Sequence, residues 1–216
     1  SSSILKFQIK PKYHDWRATT GTQTYVSPSV SGDGRFILLG SYDDEIQLFD
    51  YDSGDDGYLW KYDVNADIYE VAISKDGNYF VVGTTDDKLY LYKTNYTDDD
   101  VNPVLQWTYD WGNDVRDIAI SADGSYIVAA SSNNEKVRVF QKDSSTPILD
   151  IVNAAPYDVA ISGNGQYFAI CSHYGIYFYS TSSSTPLWSE TGSNYCRDNR
   201  YGNTIVISDD GKYVAI

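Results

Sequence analysis

Five glycines, each preceded by Asp or Asn in a short turn sequence, recur along this 216-residue chain at nearly regular intervals. They are Gly34, Gly77, Gly124, Gly165 and Gly211, and the spacings between them are 43, 47, 41 and 46 residues. Self-similarity at a fixed period indicates that one structural unit is repeated and stacked on its neighbours. The period therefore limits the fold more strongly than any other feature of the sequence.

One period, read from Asp67 to Lys93, contains three short strand patterns separated by two turns. An apolar segment around Val71 and Ile73 precedes the Ser74–Gly77 turn, a second apolar segment covers Tyr79–Val82, and Leu89 and Leu91 alternate with polar residues. A fourth strand carries tryptophan in three blades, at Trp60, Trp107 and Trp188, with Ile148 expected in that place in the third blade. Four antiparallel strands in a period of about 40–45 residues predict an all-β propeller.

The two ends of the chain hold complementary halves of one unit. Residues 1–20 contain a third and a fourth strand, with Leu5 and Phe7 alternating ahead of Trp16, whereas residues 203–216 contain a first and a second strand. The complete blades 1 to 4 cover residues 21–64, 65–111, 112–153 and 154–192. We therefore predict one five-bladed domain over residues 1–216, closed by pairing of Leu5 and Phe7 with residues 213–216. The alternative is a fragment of a larger propeller.

The repeat resembles known propeller families. Ser74-Lys-Asp76-Gly77 followed by Gly83-Thr-Thr-Asp86-Asp87-Lys-Leu89-Tyr-Leu91 is similar to the WD-repeat pattern, and Asp50-Tyr-Asp52-Ser53-Gly54 followed by Leu59-Trp60 resembles a quinoprotein-type blade. The Gly-His dipeptide of true WD repeats is absent from this sequence, and Phe49-Asp50, Tyr92-Lys93, Phe140-Gln141 and Tyr179-Ser180 replace the Trp-Asp ending. The resemblance implies a scaffold without the buried His-Ser-Trp-Asp network, and it says little about chemistry.

Charge and composition exclude several functions. The chain has 16 Lys and Arg against 30 Asp and Glu, a net charge of −14, so its surface repels nucleic-acid phosphates. It has no apolar run of membrane-spanning length. Its two cysteines, Cys171 and Cys196, permit one disulfide. The expected location is extracellular or at the cell surface, with the cytoplasm as the alternative.

Three carboxylates occupy the same place in successive repeats, directly before the apolar pair of the first strand: Glu70, Asp117 and Asp158. Ser27 and Thr204 take that place in the other two repeats. Since the first strand is innermost in a propeller, these side chains are expected near one mouth of the central channel. They either bind a cation or cap backbone amides of the next blade, and capping is favoured because unpaired buried charge is costly. An enzyme using them as acid and base groups is an alternative function.

A dense acidic loop loosely resembles a calcium-binding loop. It contains Asp50, Asp52, Asp55 and Asp56, with glycines at positions 54 and 57. The register of a Ca²⁺-binding loop is wrong, and a late glutamate that would bind the ion bidentately is absent. The sequence therefore predicts neither a cofactor nor a metal site, with Ca²⁺ here as the alternative.

The connection from Thr191 to Asn203 is the candidate partner-binding loop. It concentrates Tyr195, Arg197, Arg200 and Tyr201 in an otherwise acidic protein. Arginine and tyrosine are preferred anchors of protein interfaces, and functional loops sit on rigid scaffolds. We predict a non-catalytic protein-binding or structural module whose partner is another protein or another copy of the chain. A self-assembling surface or filament subunit is the alternative. Asn95-Tyr96-Thr97 is also a glycosylation sequon, relevant only to a secreted protein.

Overall fold

The computed structural model of the chain describes residues 4–7, 16–19, 26–51, 59–97, 100–131, 135–152, 154–192, 196 and 205–216. The regular elements in these ranges are β-strands. In chain order they are β1 (Ile4–Phe7), β2 (Trp16–Thr19), β3 (Val26–Val30), β4 (Phe36–Ser41), β5 (Glu45–Asp50), β6 (Trp60–Asp63), β7 (Ile68–Ile73), β8 (Tyr79–Thr84), β9 (Lys88–Lys93), β10 (Tyr96–Thr97), β11 (Asp100–Val101), β12 (Val104–Asp110), β13 (Asp117–Ile120), β14 (Tyr126–Ser131), β15 (Lys136–Gln141), β16 (Ser144–Ile151), β17 (Pro156–Ile161), β18 (Tyr167–Ser172), β19 (Gly175–Ser180), β20 (Trp188–Thr191), β21 (Val206–Ile207) and β22 (Val214–Ala215).

Four sheets have four antiparallel strands each, paired in chain order. The first sheet is β3-β4-β5-β6, the second is β7-β8-β9-β12, the third is β13-β14-β15-β16 and the fourth is β17-β18-β19-β20. The short hairpin β10–β11 is inserted between the third and fourth strands of the second sheet. The N-terminal hairpin β1–β2 and the C-terminal hairpin β21–β22 form two-stranded sheets. The prediction of an all-β chain of repeated four-stranded antiparallel sheets, which fits a propeller, is confirmed.

The hydrophobic core lies between successive sheets. Separate clusters of buried residues join the first sheet to the second, the second to the third and the third to the fourth. Phe80 and Phe140 are among the side chains with no solvent exposure, and burying one such side chain stabilises the fold by about 1.5–3 kcal/mol. Because side chains alternate between the two faces of a strand, a sheet covered on both faces needs the unbroken apolar runs seen at Tyr79–Val82.

The repeated turn after each first strand is held by the same hydrogen bonds in every copy. In the second sheet, the Ser74 hydroxyl donates to Asp76 Oδ1 at 2.6 Å and accepts from Tyr79 N at 3.0 Å, while Gly77 N donates to Ser74 O at 2.9 Å. Equivalent bonds form around Ser31, Ser121, Ser162 and Ser208. The turn glycines have φ between 69° and 77°, a backbone conformation that glycine adopts without steric cost.

The turn glycines also mark where one sheet packs on the next. A Cβ at Gly124 would lie 2.6 Å from the ring of Tyr79, which opens the second strand of the preceding sheet. Gly77 is covered in the same way by Phe36, Gly165 by Tyr126 and Gly211 by Tyr167. Glycine is therefore needed at these positions both for its φ and for the aromatic ring above it.

The N-terminal hairpin has the register of a third and a fourth strand. Position four of the third strand lies opposite the tryptophan in three sheets, as in Leu48 with Trp60, Leu91 with Trp107 and Phe178 with Trp188. In β1–β2 the equivalent pair is Phe7 with Trp16. The expectation for the third sheet is wrong by one residue, because the register shifts between Val139 and Gln141 and places Leu149 opposite Val139. Ile148 is exposed instead.

The C-terminal hairpin has the register of a first and a second strand. Ile207 pairs with Val214 in β21–β22 as Ile120 pairs with Ile127 in the third sheet. Among the strands that the structure describes, however, β1 pairs with β2 and β22 with β21, and the predicted pairing of Leu5 and Phe7 with residues 213–216 is not seen. Among the described strands, none pairs with the outer edge of the C-terminal hairpin.

The seam between the last hairpin and the first sheet is open in the described residues. Tyr213, the counterpart of the rings that cover the other turn glycines, is 74% exposed. A Cβ at Gly34 would have no described atom within 4 Å. Five blades closed by the two ends therefore stay a prediction.

Candidate functional site

The three predicted carboxylates lie on the first strands of the second, third and fourth sheets, at the end away from the repeated turns. Glu70 is in β7, Asp117 opens β13 and Asp158 is in β17. The register shifts directly before two of them, between Ile68 and Glu70 and between Pro156 and Asp158. Such a bulge turns the following side chain away from the regular alternation. We call Glu70, Asp117 and Asp158 the carboxylate cluster.

Two members of the cluster bind the backbone of the next sheet. Asp117 accepts a hydrogen bond from the backbone N–H of Val159, and Asp158 accepts one from Ile205 N at 3.0 Å. Ser27, which holds the same place in the first sheet, accepts from Val71 N at 3.1 Å. A carboxylate that accepts a buried backbone N–H satisfies a donor that would otherwise be costly to bury. These side chains therefore join one first strand to the next.

Glu70 makes a different contact. Its Oε1 accepts a hydrogen bond from the Ser27 hydroxyl at 2.5 Å, so it faces back toward the first sheet. Burial raises the pKa of Glu70 to about 7, the bonds from Ser27 and Val71 oppose this shift, and the charge of Asp158 adds to it. Burial also raises the pKa of Asp117 well above its ordinary value, with further contributions from the charges of Asp158 and Glu70.

The cluster is thus a set of like charges held close together in a buried place. Asp117 is 7% exposed and Asp158 is 1% exposed. Two carboxyl groups that share a site cannot both ionise freely, so the charge of Asp158 adds to the rise in the pKa of Asp117 that burial causes.

The carboxylate cluster and the acidic loop are the two places where the sequence allowed a cation. Within the described residues, no group of three or more His, Cys, Asp or Glu side chains has an arrangement that would hold one. Asp50, the first residue of the acidic loop that is the alternative Ca²⁺ site, accepts hydrogen bonds from Arg35 Nε and Nη2 at 2.9–3.1 Å. Asp52, Asp55 and Asp56 lie outside the described residues.

Aromatic and charged side chains directly precede the three carboxylates in the chain, and they are not among the site residues predicted from the sequence. They are Tyr69, Arg116 and Tyr157. Arg116 lies 5.2 Å from the centre of the Tyr69 ring, and its Nη2 is 3.1 Å from Asp114 Oδ2. The Tyr157 hydroxyl is 3.3 Å from His173 Nδ1. We call Tyr69, Arg116, Tyr157 and His173 the mouth rim. Their position next to the repeated carboxylate was the available signal.

Cys171 and Cys196 are joined in a disulfide, with their Cα atoms 5.7 Å apart. Cys171 lies opposite Asp158 in the β17–β18 register. The bond therefore fastens the connection before β21 beside the carboxylate cluster. Tyr195, Arg197, Arg200 and Tyr201 of the candidate partner-binding loop lie outside the described residues, so only the anchor of this loop at Cys196 is located.

Comparison with models of known families identifies a repeat in two segments of the chain. The model of the WD domain, G-beta repeat, matches residues 54–93 and 104–141. The second match runs from β12, the fourth strand of the second sheet, through β15, the third strand of the third sheet. A search of curated proteins found no match. In the described ranges, no helix is long and apolar enough to cross a membrane.

Proposed function

We propose that the chain is a non-catalytic scaffold that binds another protein. It is WD-repeat-like, because two segments match the WD repeat and the same four-stranded sheet recurs beyond them. The observation that carries this proposal is the use of the carboxylate cluster. Asp117 and Asp158 accept backbone N–H groups of the following sheet, so they fix the scaffold instead of facing a substrate.

The proposed scaffold has five blades, and the fifth contains both ends of the chain. The registers of β1–β2 and β21–β22 are those of complementary halves of one sheet. Lys75, in the turn of the second sheet, forms an ion pair with Asp209, in the turn of the C-terminal hairpin. A contact between turns 134 residues apart fits a narrow ring of few blades. Closure would cover the edge of β22, which is otherwise open to pairing with other chains.

The proposed partner-facing surface is the mouth rim together with the loop that contains Arg197 and Arg200. The disulfide anchors this loop beside Asp158. Basic groups in a protein of net charge −14 attract an acidic partner patch, or the acidic surface of a second copy. The disulfide also supports an extracellular or cell-surface location, because structural disulfides persist in oxidising compartments.

An enzyme is a second candidate because of the charge state of the cluster. A glutamate with a pKa of about 7 beside a buried aspartate with a raised pKa is a pattern that general acid–base catalysts also use. The backbone hydrogen bonds to Asp117 and Asp158 favour the scaffold. A self-assembling subunit is a further alternative, supported by the outer edge of β22, which no described strand covers.

A charge-matched pair of double variants tests the proposal. Arg197→Ala with Arg200→Ala removes two positive charges from the loop, and Lys75→Ala with Lys212→Ala removes two from the repeated turns. We expect the Arg197/Arg200 variant to lose both partner capture and self-association, and the Lys75/Lys212 variant to keep both. Capture of protein partners by the immobilised chain is measured by quantitative mass spectrometry, and self-association is measured by sedimentation. If both survive the loop variant while Asp117→Asn destroys them, the partner site is the carboxylate cluster instead.

A further inference from the structure

A single sequence in the chain has the form Asn-x-Ser/Thr, and it lies at the inserted hairpin of the second sheet. Asn95 follows the end of β9, and Tyr96 and Thr97 form β10, which pairs with β11. This sequence is the acceptor signal for N-linked glycosylation, which needs an accessible asparagine in a secreted protein. The proposed scaffold gives this hairpin no role.

Asn95 is exposed, and its neighbour fixes it in place. Its φ is 50°, a left-handed conformation that asparagine tolerates better than most residues. The ring of Tyr96 packs inward, 5.5 Å from the ring of Phe36 and 3.9 Å from the guanidinium of Arg35. Arg35 is held in turn by its ion pair with Asp50. The hairpin is therefore tied to the first sheet through Tyr96, while Asn95 remains open to solvent.

We propose that Asn95 is an N-glycosylation site. The inference rests on the proposed extracellular location, which the buried Cys171–Cys196 disulfide supports independently of the sequon. In the transfer, Asn95 Nδ2 forms a bond to the anomeric carbon of an oligosaccharide carried on a lipid diphosphate. The bond from that carbon to the diphosphate oxygen breaks, the diphosphate leaves with the electron pair, and the amide nitrogen loses one proton. Neither oxidant nor reductant takes part.

The glycan would occupy the end of the molecule away from the mouth rim. Thr94 N donates to Asn78 O at 2.8 Å, which places Asn95 beside the Ser74–Gly77 turn. The disulfide and Asp158 lie at the other end of the first strands. A bulky, solvated oligosaccharide shields the surface from which it extends. The modification therefore hinders docking at the turn end and leaves the mouth rim and its loop free for a partner.

The test is to express the full chain behind a cleavable signal sequence in cells that glycosylate secreted proteins. Electrophoretic mobility is compared before and after treatment with peptide N-glycosidase, and peptides released in heavy-oxygen water are mapped. We expect one discrete mobility shift and conversion of Asn95 to Asp with heavy oxygen. Asn95→Gln and Thr97→Ala should abolish the shift, whereas Thr97→Ser should retain it. Asn78→Gln, an exposed asparagine at the same end, is the matched control and should leave the shift unchanged.

The proposal is overturned if the wild-type chain is disulfide-bonded and yet unmodified at Asn95. Chain retained in the cell is scored in the same way with endoglycosidase H, so poor secretion still gives an answer. If the Arg197/Arg200 variant loses partner binding and Asn95 is modified, both the partner surface and the glycosylation site are supported. Modification of Asn95 with binding unaffected by that variant would contradict the proposed partner surface alone.

Discussion

At the scale of single residues, the charge state of Glu70 near neutral pH depends on its surroundings. Its pKa rises from 4.5 to about 7 on folding because it is buried beside Asp158. The folded state therefore holds a proton that the unfolded state releases between these two values. Stability linked to Glu70 is fully present below pH 4.5 and is lost as the pH rises through 7.

Glu70→Gln should remove this part of the pH dependence. The amide is neutral at every pH, and its oxygen can still accept a hydrogen bond from Ser27. As the pH rises from 5 to 8, the wild type should lose about 1–3 kcal/mol of unfolding free energy through Glu70, and the variant should not lose this part. Denaturant unfolding at the two pH values measures the difference. Since Asp117 contributes a shift of the same sign, residual pH dependence is expected in the single variant. An identical pH dependence in the two proteins would contradict the burial of an ionisable Glu70.

Two turn glycines with the same backbone conformation separate strain from packing. Gly124 has φ 71° and lies under the ring of Tyr79, whereas Gly34 has φ 77° with no described atom near its Cβ position. We expect Gly34→Ala to cost about 1–2 kcal/mol from the left-handed backbone alone. We expect Gly124→Ala to cost about 2 kcal/mol more because the added methyl group overpacks the ring. Thermal unfolding compares them, and equal costs would mean that Tyr213 covers Gly34 in solution.

At the scale of elements, the disulfide holds an irregular connection against a regular sheet. Cys171 is fully buried in β18, and its partner Cys196 is 25 residues away in the chain. Closing a loop of that length stabilises a fold by about 3 kcal/mol on the chain-entropy estimate. Cys171→Ala with Cys196→Ala should lower the unfolding free energy by that order, and a reductant should destabilise the wild type but not the variant. A reductant with no effect on the wild type would contradict the bond.

Some parts of the fold and the candidate site can be predicted from the sequence, and others cannot. The turn glycines, the apolar strand pairs and the place of Asp117 and Asp158 repeat along the chain, so periodicity alone predicts them. The hydrogen bonds from Val159 and Ile205 to those carboxylates depend on how one sheet lies against the next. The bulges before Glu70 and Asp158 and the shift that replaces Ile148 with Leu149 are local register changes, which an apolar pattern does not reveal.

At the scale of the whole molecule, closure of the predicted ring depends on pairing between the N-terminal hairpin β1–β2 and the C-terminal hairpin β21–β22. Aligning their registers with those of the complete sheets places Phe7 opposite Ala215 and Lys6 opposite Ile216. Lys6→Cys with Ile216→Cys should then form an intramolecular disulfide on mild oxidation, detected by peptide mapping of the monomer. Lys6→Cys with Val206→Cys, on the inner strand, is the control that should stay reduced. Covalent dimers in place of the internal bond would favour self-assembly through β22.

The matched repeat begins one strand before the sheet that it mostly covers. This offset affects how recombination could lengthen or shorten the gene. The segment 104–141 starts with the last strand of one sheet and ends with the third strand of the next. If it were deleted, β16 would follow the β10–β11 hairpin along the chain and take the place of β12 as the fourth strand of the second sheet. Duplication would likewise add one complete sheet. Unequal recombination could therefore change the number of blades by one without leaving an incomplete sheet at the point of exchange.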